Sequence, residues 1–247
     1  MALGGLYTSM AGLETSSERL ETVAQNLANV NTQGYAAQQT AAMALPYSGT
    51  NPLPGADVIA LGQGTDTADG PVRQTGAPYD VAVQGGWLVV QTPDGGQALT
   101  RNGHLAQNAA NLLTTATGEP VLSANGTPIS LPALRDITIA RDGSISGIPM
   151  GAAGSAAQSF GKLFIAQTPP GTDLQPLGNS LYGLPAGTTP QPAASATVIQ
   201  GALEGSNVDQ VKSMMDLIAV SKTYKLETEV MGKSAQTQAA LDQILMS

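Results

Sequence analysis

Large apolar residues fall at Leu3, Leu6, Met10, Leu13, Leu20, Val23, Leu27 and Val30, in steps of three and four once Ser17 fills the one gap. That spacing lays them along one stripe of an α-helix, as in a coiled-coil seam. The far end of the chain repeats the pattern. Met214, Leu217, Ser221, Tyr224, Thr228, Met231, Ala235, Gln238, Leu241 and Leu245 also step by three and four, with small or polar residues at several seam positions. Stripes this narrow bury little by themselves, so helices at both ends are predicted to pair with each other and to be ordered by neighbouring copies. The first helix should stop at Asn31, Thr32 and Gly34. The last should start at a Ser206 or Asn207 cap, with Asp209 and Asp216 near its positive end.

Between the helices the punctuation changes. Residues 36–71 are rich in Gly, Pro and Thr, without a sustained period, and read as an extended connector with one short strand near 58–61. From Val72 onward the turns are those of β structure. Asp94-Gly95-Gly96 and Asp142-Gly143 each sit between strand-like runs, Asn125-Gly126 marks another turn, and GKLFIAQT reads as one more strand. The expected fold is α+β: long N- and C-terminal helices pairing in a coiled-coil-like inner layer, with a central all-β domain or small barrel. The corresponding segments are a helix and turn motif over 1–35, a connector over 36–71, the β domain over 72–185, a return connector over 186–205 and a helix over 206–247.

Composition narrows the functions open to such a chain. Eighteen acidic residues against ten basic ones give a net charge of −8, which argues against nucleic acid as a partner. The first helix carries Glu14, Glu18 and Glu21 against Arg19 alone, so anionic lipid would repel it. No run is long and apolar enough to span a membrane, and the N-terminus does not read as a cleavable secretory signal. There is no cysteine, which excludes disulfides and thiolate metal sites and fits any redox compartment.

The search for chemistry turns up little. His104 is the one histidine, without a nucleophile-elbow motif elsewhere, and reads as a solvent-exposed strand-edge or turn residue. DTADG at 66–70 lacks the remaining ligands of a calcium loop, and the Gly pairs at 85–86 and 95–96 do not precede helices as phosphate cradles do. No cofactor or metal is expected. A secreted hydrolase with a β catalytic domain is therefore a poor reading.

Three blocks of the sequence carry a family resemblance. LYTSMAGLETSSERLETVAQNLANVNTQGY resembles the N-terminal signature of the bacterial flagellar rod and hook family, whose helix ends in a motif close to A-N-x-x-T-x-G-[YF]. Ala28, Asn29, Thr32, Gly34 and Tyr35 match it. The stretch TGAPYDVAVQGGWLVVQTPDGGQALTRNGHLAQ is similar to that family's β-domain block through Thr75, Gly76, Asp80, Val81, Ala82, Gly85, Trp87, Thr100, Arg101 and Gly103. IQGALEGSNV is similar to its C-terminal block through Gln200, Gly201, Leu203, Glu204, Ser206, Asn207 and Val208.

The resemblance implies a structural subunit without catalysis, stacked helically in the flagellar axle, with a proximal-rod position favoured over a distal one. A non-flagellar fibre or tail-like subunit is the remaining alternative. The implied partners are copies of the chain, homologous rod subunits and the flagellar type III export apparatus, with no nucleic acid and no membrane insertion. The implied location is the basal-body rod spanning the periplasm. Leu6, Met10, Leu13, Leu20, Val23, Leu27, Met214, Leu217, Tyr224, Met231, Leu241 and Leu245 become assembly residues under this reading. Ser213-Met214, Lys222 to Lys225 and Ala110 to Leu112 depart from the family's pattern, which weakens any carry-over of its particular inter-subunit charge contacts.

Overall fold

The computed structural model describes residues 2–46, 56–151, 156–168, 172–185 and 187–245, and within them the side chains of 10–41, 64–237 and 240. In chain order the elements are α1 (Ala2–Ala28), β1 (Gln38–Pro46), β2 (Ala56–Thr65), β3 (Val72–Gln74), β4 (Val81–Gln84), β5 (Trp87–Gln91), β6 (Gln97–Thr100), β7 (Leu105–Gln107), β8 (Leu113–Thr115), β9 (Leu134–Ile139), β10 (Ser144–Pro149), β11 (Gln158–Lys162), β12 (Ile165–Gln167), β13 (Gln175–Gly178), β14 (Leu181–Gly183), β15 (Gln191–Pro192), β16 (Thr197–Gln200), β17 (Ala202–Glu204) and α2 (Gln210–Leu245). They form two compact units: Met1–Ala28 with Gln38–Gly64 and Asp209–Ser247, and Asn29–Ala37 with Thr65–Val208.

In the first unit α1 packs against both α2 and β1, and β1 pairs with β2. Among the described side chains of α1, the buried ones are polar: Thr15, Ser16, Thr22 and Asn26. Thr15, Thr22 and Asn26 can be buried because their polar atoms have partners. The Thr15 and Thr22 hydroxyls donate to carbonyls one turn back, at Ala11 and Glu18, both at 2.9 Å. Thr22 also meets the Thr40 hydroxyl on β1 at 2.8 Å. Asn26 brackets the Gln38 backbone, donating to its carbonyl at 2.7 Å and accepting its N–H at 2.8 Å.

The expected seam is differently built. Leu13, Leu20, Val23 and Leu27 are half-buried and Met10 is exposed. On α2 the half-buried positions are Ser213, Leu217, Val220, Tyr224, Glu227, Met231 and Ser234, a heptad-spaced row that shares Leu217, Tyr224 and Met231 with the expected stripe. Met214 is exposed instead. The side chains of Leu6, Leu241 and Leu245 lie outside those described. The cap of α2 is Asp209, whose carboxylate accepts the Lys212 N–H at 3.0 Å, and not Ser206 or Asn207.

Glu227 stands over Gly12: a Cβ added at Gly12 would lie 3.6 Å from its Oε1. Its Oε2 is buried without a hydrogen-bond partner. A carboxylate oxygen stripped of water and given nothing in return costs stability. Glu227→Met keeps the length and removes the charge, so it should raise unfolding free energy by about 1–2 kcal/mol. Chemical denaturation of the two proteins side by side checks this; a loss would show that the carboxylate is satisfied.

In the second unit, β5 is apolar on both faces and buried throughout its Trp87–Val90 run. Leu88 and Val90 belong to one cluster, with Val81, Leu105, Leu113, Ile145 and Leu163. Trp87 and Val89 belong to another, with Leu99, Leu122, Leu174 and Tyr182. The period of two thus feeds two cores from one strand. β5 and β6 close through the Asp94-Gly95 turn, where Gly95 has φ +81°. β9 and β10 close through Asp142-Gly143 in the same way, with Gly143 at φ +87°.

The expectation of a coiled-coil-like helix layer around one central all-β domain is corrected by these findings. The strands divide among several small sheets: six-stranded (β13-β14-β6-β5-β12-β15), three-stranded (β11-β10-β9) and two-stranded ones, β16-β4, β17-β3 and β7-β8 among them. Many strands are only three residues long and end at turns, so among the described residues no ladder runs far enough to close a barrel. GKLFIAQT divides for the same reason. Phe164 donates its N–H to Leu122 and Leu163 to Gly143, so the chain changes sheets between β11 and β12. The helix pairing survives only in part, because the buried face of α1 is polar where an apolar seam was expected. No described helix is long and apolar enough to cross a membrane.

Candidate functional site

The block residues from Asn29 onward meet in the second unit, whereas Ala28 and the rest of the first block belong to α1 in the first. After Ala28 the chain turns: Asn29 accepts from Thr32 through both its carbonyl, at 3.1 Å, and its side-chain oxygen, at 3.0 Å. Gly34 follows at φ +64°, and a Cβ there would meet the Asn102 nitrogen at 2.2 Å and the Arg101 carbonyl carbon at 2.4 Å. Only glycine fits a left-handed backbone pressed against another backbone. The Gly34 N–H donates to the Glu204 carbonyl at 3.0 Å.

Asn207 secures the next residues. Its Oδ1 accepts the Ala37 N–H at 2.6 Å, and its Nδ2 donates to the carbonyls of Asp66 at 3.1 Å and Ala68 at 3.0 Å. Its own N–H donates to Tyr35 at 3.2 Å. The Tyr182 hydroxyl accepts the Ala36 N–H at 2.7 Å. Burial pushes the Tyr35 phenol up to about 12, with repulsion from the charge of the neighbouring Tyr182 phenol adding to the effect.

Beneath this corner lies a buried ion cluster. Arg101 is 4% exposed and Glu204 2%. Arg101 Nη1 reaches Glu204 at 3.2 Å and the Ala68 carbonyl at 2.7 Å; Nη2 reaches Asp69 at 3.1 Å and the Thr67 carbonyl at 2.7 Å. The guanidinium sits 4.2 Å from the centroid of the Trp87 ring, which meets Tyr182 edge-on at 5.1 Å. This is the planar fork that lysine lacks. Glu204 also accepts the Gly70 N–H at 2.8 Å. Burial, reinforced by Asp69, still pushes its carboxyl above the ordinary value, against the pull of Gly70 and Arg101.

The remaining block residues form a neighbouring polar knot. Thr75 and Gly76 donate their N–H groups to the Gly201 carbonyl at 2.8 and 3.0 Å, and the Gly201 N–H donates to Asp80 at 2.8 Å. Asp80 is buried, accepting from the Thr75 hydroxyl at 2.6 Å and lying 2.7 Å from His104 Nδ1. Sequence reasoning offered His104 no such acid; the two are close because Asp80 and His104 form an antiparallel bridge. The His104 side chain is 52% exposed. A Cβ on Gly103 would fall 1.6 Å from the Val81 carbonyl oxygen. Gly85 is exposed and donates to Asp69 at 3.1 Å, the Thr100 hydroxyl donates to Ser180 at 2.8 Å, Leu203 is buried, and Ser206 accepts the Val208 N–H at 3.2 Å. The stripe residues of α1 and α2 belong to the other unit.

What this arrangement does chemically is hold backbone in place. Most of its ionisable atoms are spent on carbonyls, N–H groups and each other, although Arg101 Nε and Glu204 Oε2 are buried without a hydrogen-bond partner; among the described residues no cluster of three His, Cys, Asp or Glu could hold a metal. Sequence reasoning had no means of seeing Asp69, Tyr182 or Thr67, which join the site only through the fold.

Known proteins match the chain along its length. The family model described as "Flagella basal body rod protein" matches residues 6–35, "Flagellar hook protein FlgE/F/G D1 domain" matches 82–147, and "Flagellar basal body rod FlgEFG protein C-terminal" matches 199–244. The flagellar basal-body rod protein FlgF of Salmonella typhimurium is 33% identical, over 97% of both chains. That of Escherichia coli is 34% identical, again over 97% of both. The rod protein FlgG of Agrobacterium fabrum is 32% identical over 84% of this chain and 86% of its own. The chain therefore belongs to the flagellar basal-body rod family, as a FlgF-like structural subunit of the rod.

Proposed function

We propose that this subunit sits in the proximal rod, that its terminal helices are covered by other copies of the chain and by homologous rod subunits, and that the assembly carries motor torque. The supporting observation is the outward face of α2. Val211, Met215, Ile218, Leu226 and Val230 are each more than half exposed. By helix geometry they cluster on one face, roughly opposite the half-buried row through Leu217, Tyr224 and Met231. An apolar stripe of this length left in water favours association. Leu13, Leu20 and Leu27, half-buried on α1, add apolar surface that neighbours would complete. The block residues at 29–37, 75–103 and 201–207 act as the stapled corner that keeps each subunit's backbone alike. Kinship with rod proteins supports export through the flagellar type III apparatus without signal cleavage, and a site in the rod where it crosses the periplasm.

Mass spectrometry of detergent-washed hook–basal bodies tests the reading. Recovery at low copy beside a more abundant distal subunit is expected; higher copy would move the subunit to the distal rod, and absence would overturn assembly altogether. Ile218→Glu should be lost from the particles while the purified variant keeps the wild-type unfolding midpoint.

A further inference from the structure

The sequence has two Asn-Gly pairs, Asn102-Gly103 and Asn125-Gly126. Both share the chemistry that makes asparagine labile, since glycine leaves the following backbone nitrogen unshielded. They differ in what must open before that nitrogen can reach the side chain. Gly103 is buried against the Val81 carbonyl and accepts the Val81 N–H through its own carbonyl at 2.9 Å. The Asn102 side-chain oxygen is engaged by the His104 N–H at 3.1 Å. Ring closure at Asn102 therefore requires loss of core packing around β4.

At Asn125 the requirement is small. Residues 124–128 are all exposed, and a Cβ on Gly126 would meet nothing within 4 Å. One turn hydrogen bond, Gly126 N–H to Ser123 at 2.7 Å, holds the nitrogen back. Breaking it is a local opening, far less costly than exposing a core strand.

We propose that Asn125 is a spontaneous modification site, converting to aspartate and isoaspartate in the folded subunit. The Gly126 nitrogen bonds to the Asn125 side-chain carbonyl carbon, the bond to the amide nitrogen breaks, and ammonia leaves with the Gly126 amide proton. Water then opens the succinimide at either carbonyl, so the net change consumes one water and releases one ammonia. The product places a carboxylate on the wall of a cleft of about 490 Å³ that Phe160 and Lys162 also line. Its isoaspartate form lengthens the turn's backbone by a methylene.

The test is timed incubation of the intact protein in mildly alkaline buffer, with peptide mass spectrometry that separates aspartate from isoaspartate. The same chain in concentrated urea is the reference, where both pairs should react at comparable rates. In the folded protein Asn125 should react at least about tenfold faster than Asn102. Gly126→Ala has open space for its methyl group but is strained at φ +77°, so it is read in urea, where it should slow the Asn125 reaction. Equal native rates at the two pairs would overturn the proposal. So would an Asn125 that stays intact in the folded protein while reacting in urea.

Discussion

Arg101→Leu is expected to lower unfolding free energy by about 3–5 kcal/mol, the cost of leaving a buried charge without its partner. The variant loses two carbonyl acceptors, both carboxylate contacts and the stacking over Trp87. Glu204 stays behind, buried, with the Gly70 N–H on one oxygen. A urea titration should show an earlier midpoint with little change in slope.

The pH dependence identifies the cause. Burial and Asp69 already hold the Glu204 carboxyl above its ordinary 4.5, and Arg101 is one of the groups pulling it down. Without Arg101 the folded value rises further. A raised carboxyl favours the fold while protonated and loses that contribution as pH climbs through the folded value. The defect should therefore be largest at neutral pH and shrink on acidification. A defect independent of pH would point to lost packing on Trp87. Arg101→Lys should fall between, because one ammonium cannot span Thr67, Ala68, Asp69 and Glu204 together.

Gly34→Val is the second large effect. A β-branched residue at φ +64° costs about 1–2 kcal/mol, and forcing its Cβ into the Arg101–Asn102 backbone adds about 1–3 kcal/mol. The sequence alone suggests that such a variant would fail in assembly with its β region intact. The geometry changes that expectation, because Gly34 is packed on the same unit it would have spared. Unfolding of the purified variant should shift with Trp87 fluorescence as the probe, since Trp87 lies in the same cluster as Ala36. A wild-type midpoint combined with absent rods would restore the purely intermolecular account.

Much of the fold is legible from local pattern. A helix at each end follows from apolar spacing, and the end of α1 from the Asn-Thr-Gly stop, whereas the cap of α2 does not. The Asp94-Gly95 and Asp142-Gly143 hairpins follow from turn chemistry, which is local and strong. Other features depend on partners distant in sequence. Nothing near Thr22 or Asn26 says that a strand at 38–46 will meet them, so their burial is invisible to an apolar count. The strands of 38–46 and 56–65 sit in a Gly- and Pro-rich region whose composition reads as connector. Asp209 took the capping role because Asn207 was already spent on Ala37, Asp66 and Ala68. The motif residues were visible as letters; that they converge on Arg101 and Glu204 was not, because that convergence is tertiary.

The bond from the Ala37 N–H to Asn207 spans 170 residues, and that from Ala36 to Tyr182 spans 146. Contacts of such high order close late, after loop-closure entropy has been met by everything between them. A chain that emerges from its N-terminus, at a ribosome or through a narrow conduit, presents residues 34–37 long before 204–207 are available. Until then the Gly34 N–H lacks its Glu204 acceptor, though Arg101 and Asn102 are already made. Completion of the second unit is thereby timed to the arrival of almost the last residue before α2. A chain truncated ahead of Asn207 should remain kinetically unfinished however well its hairpins have formed.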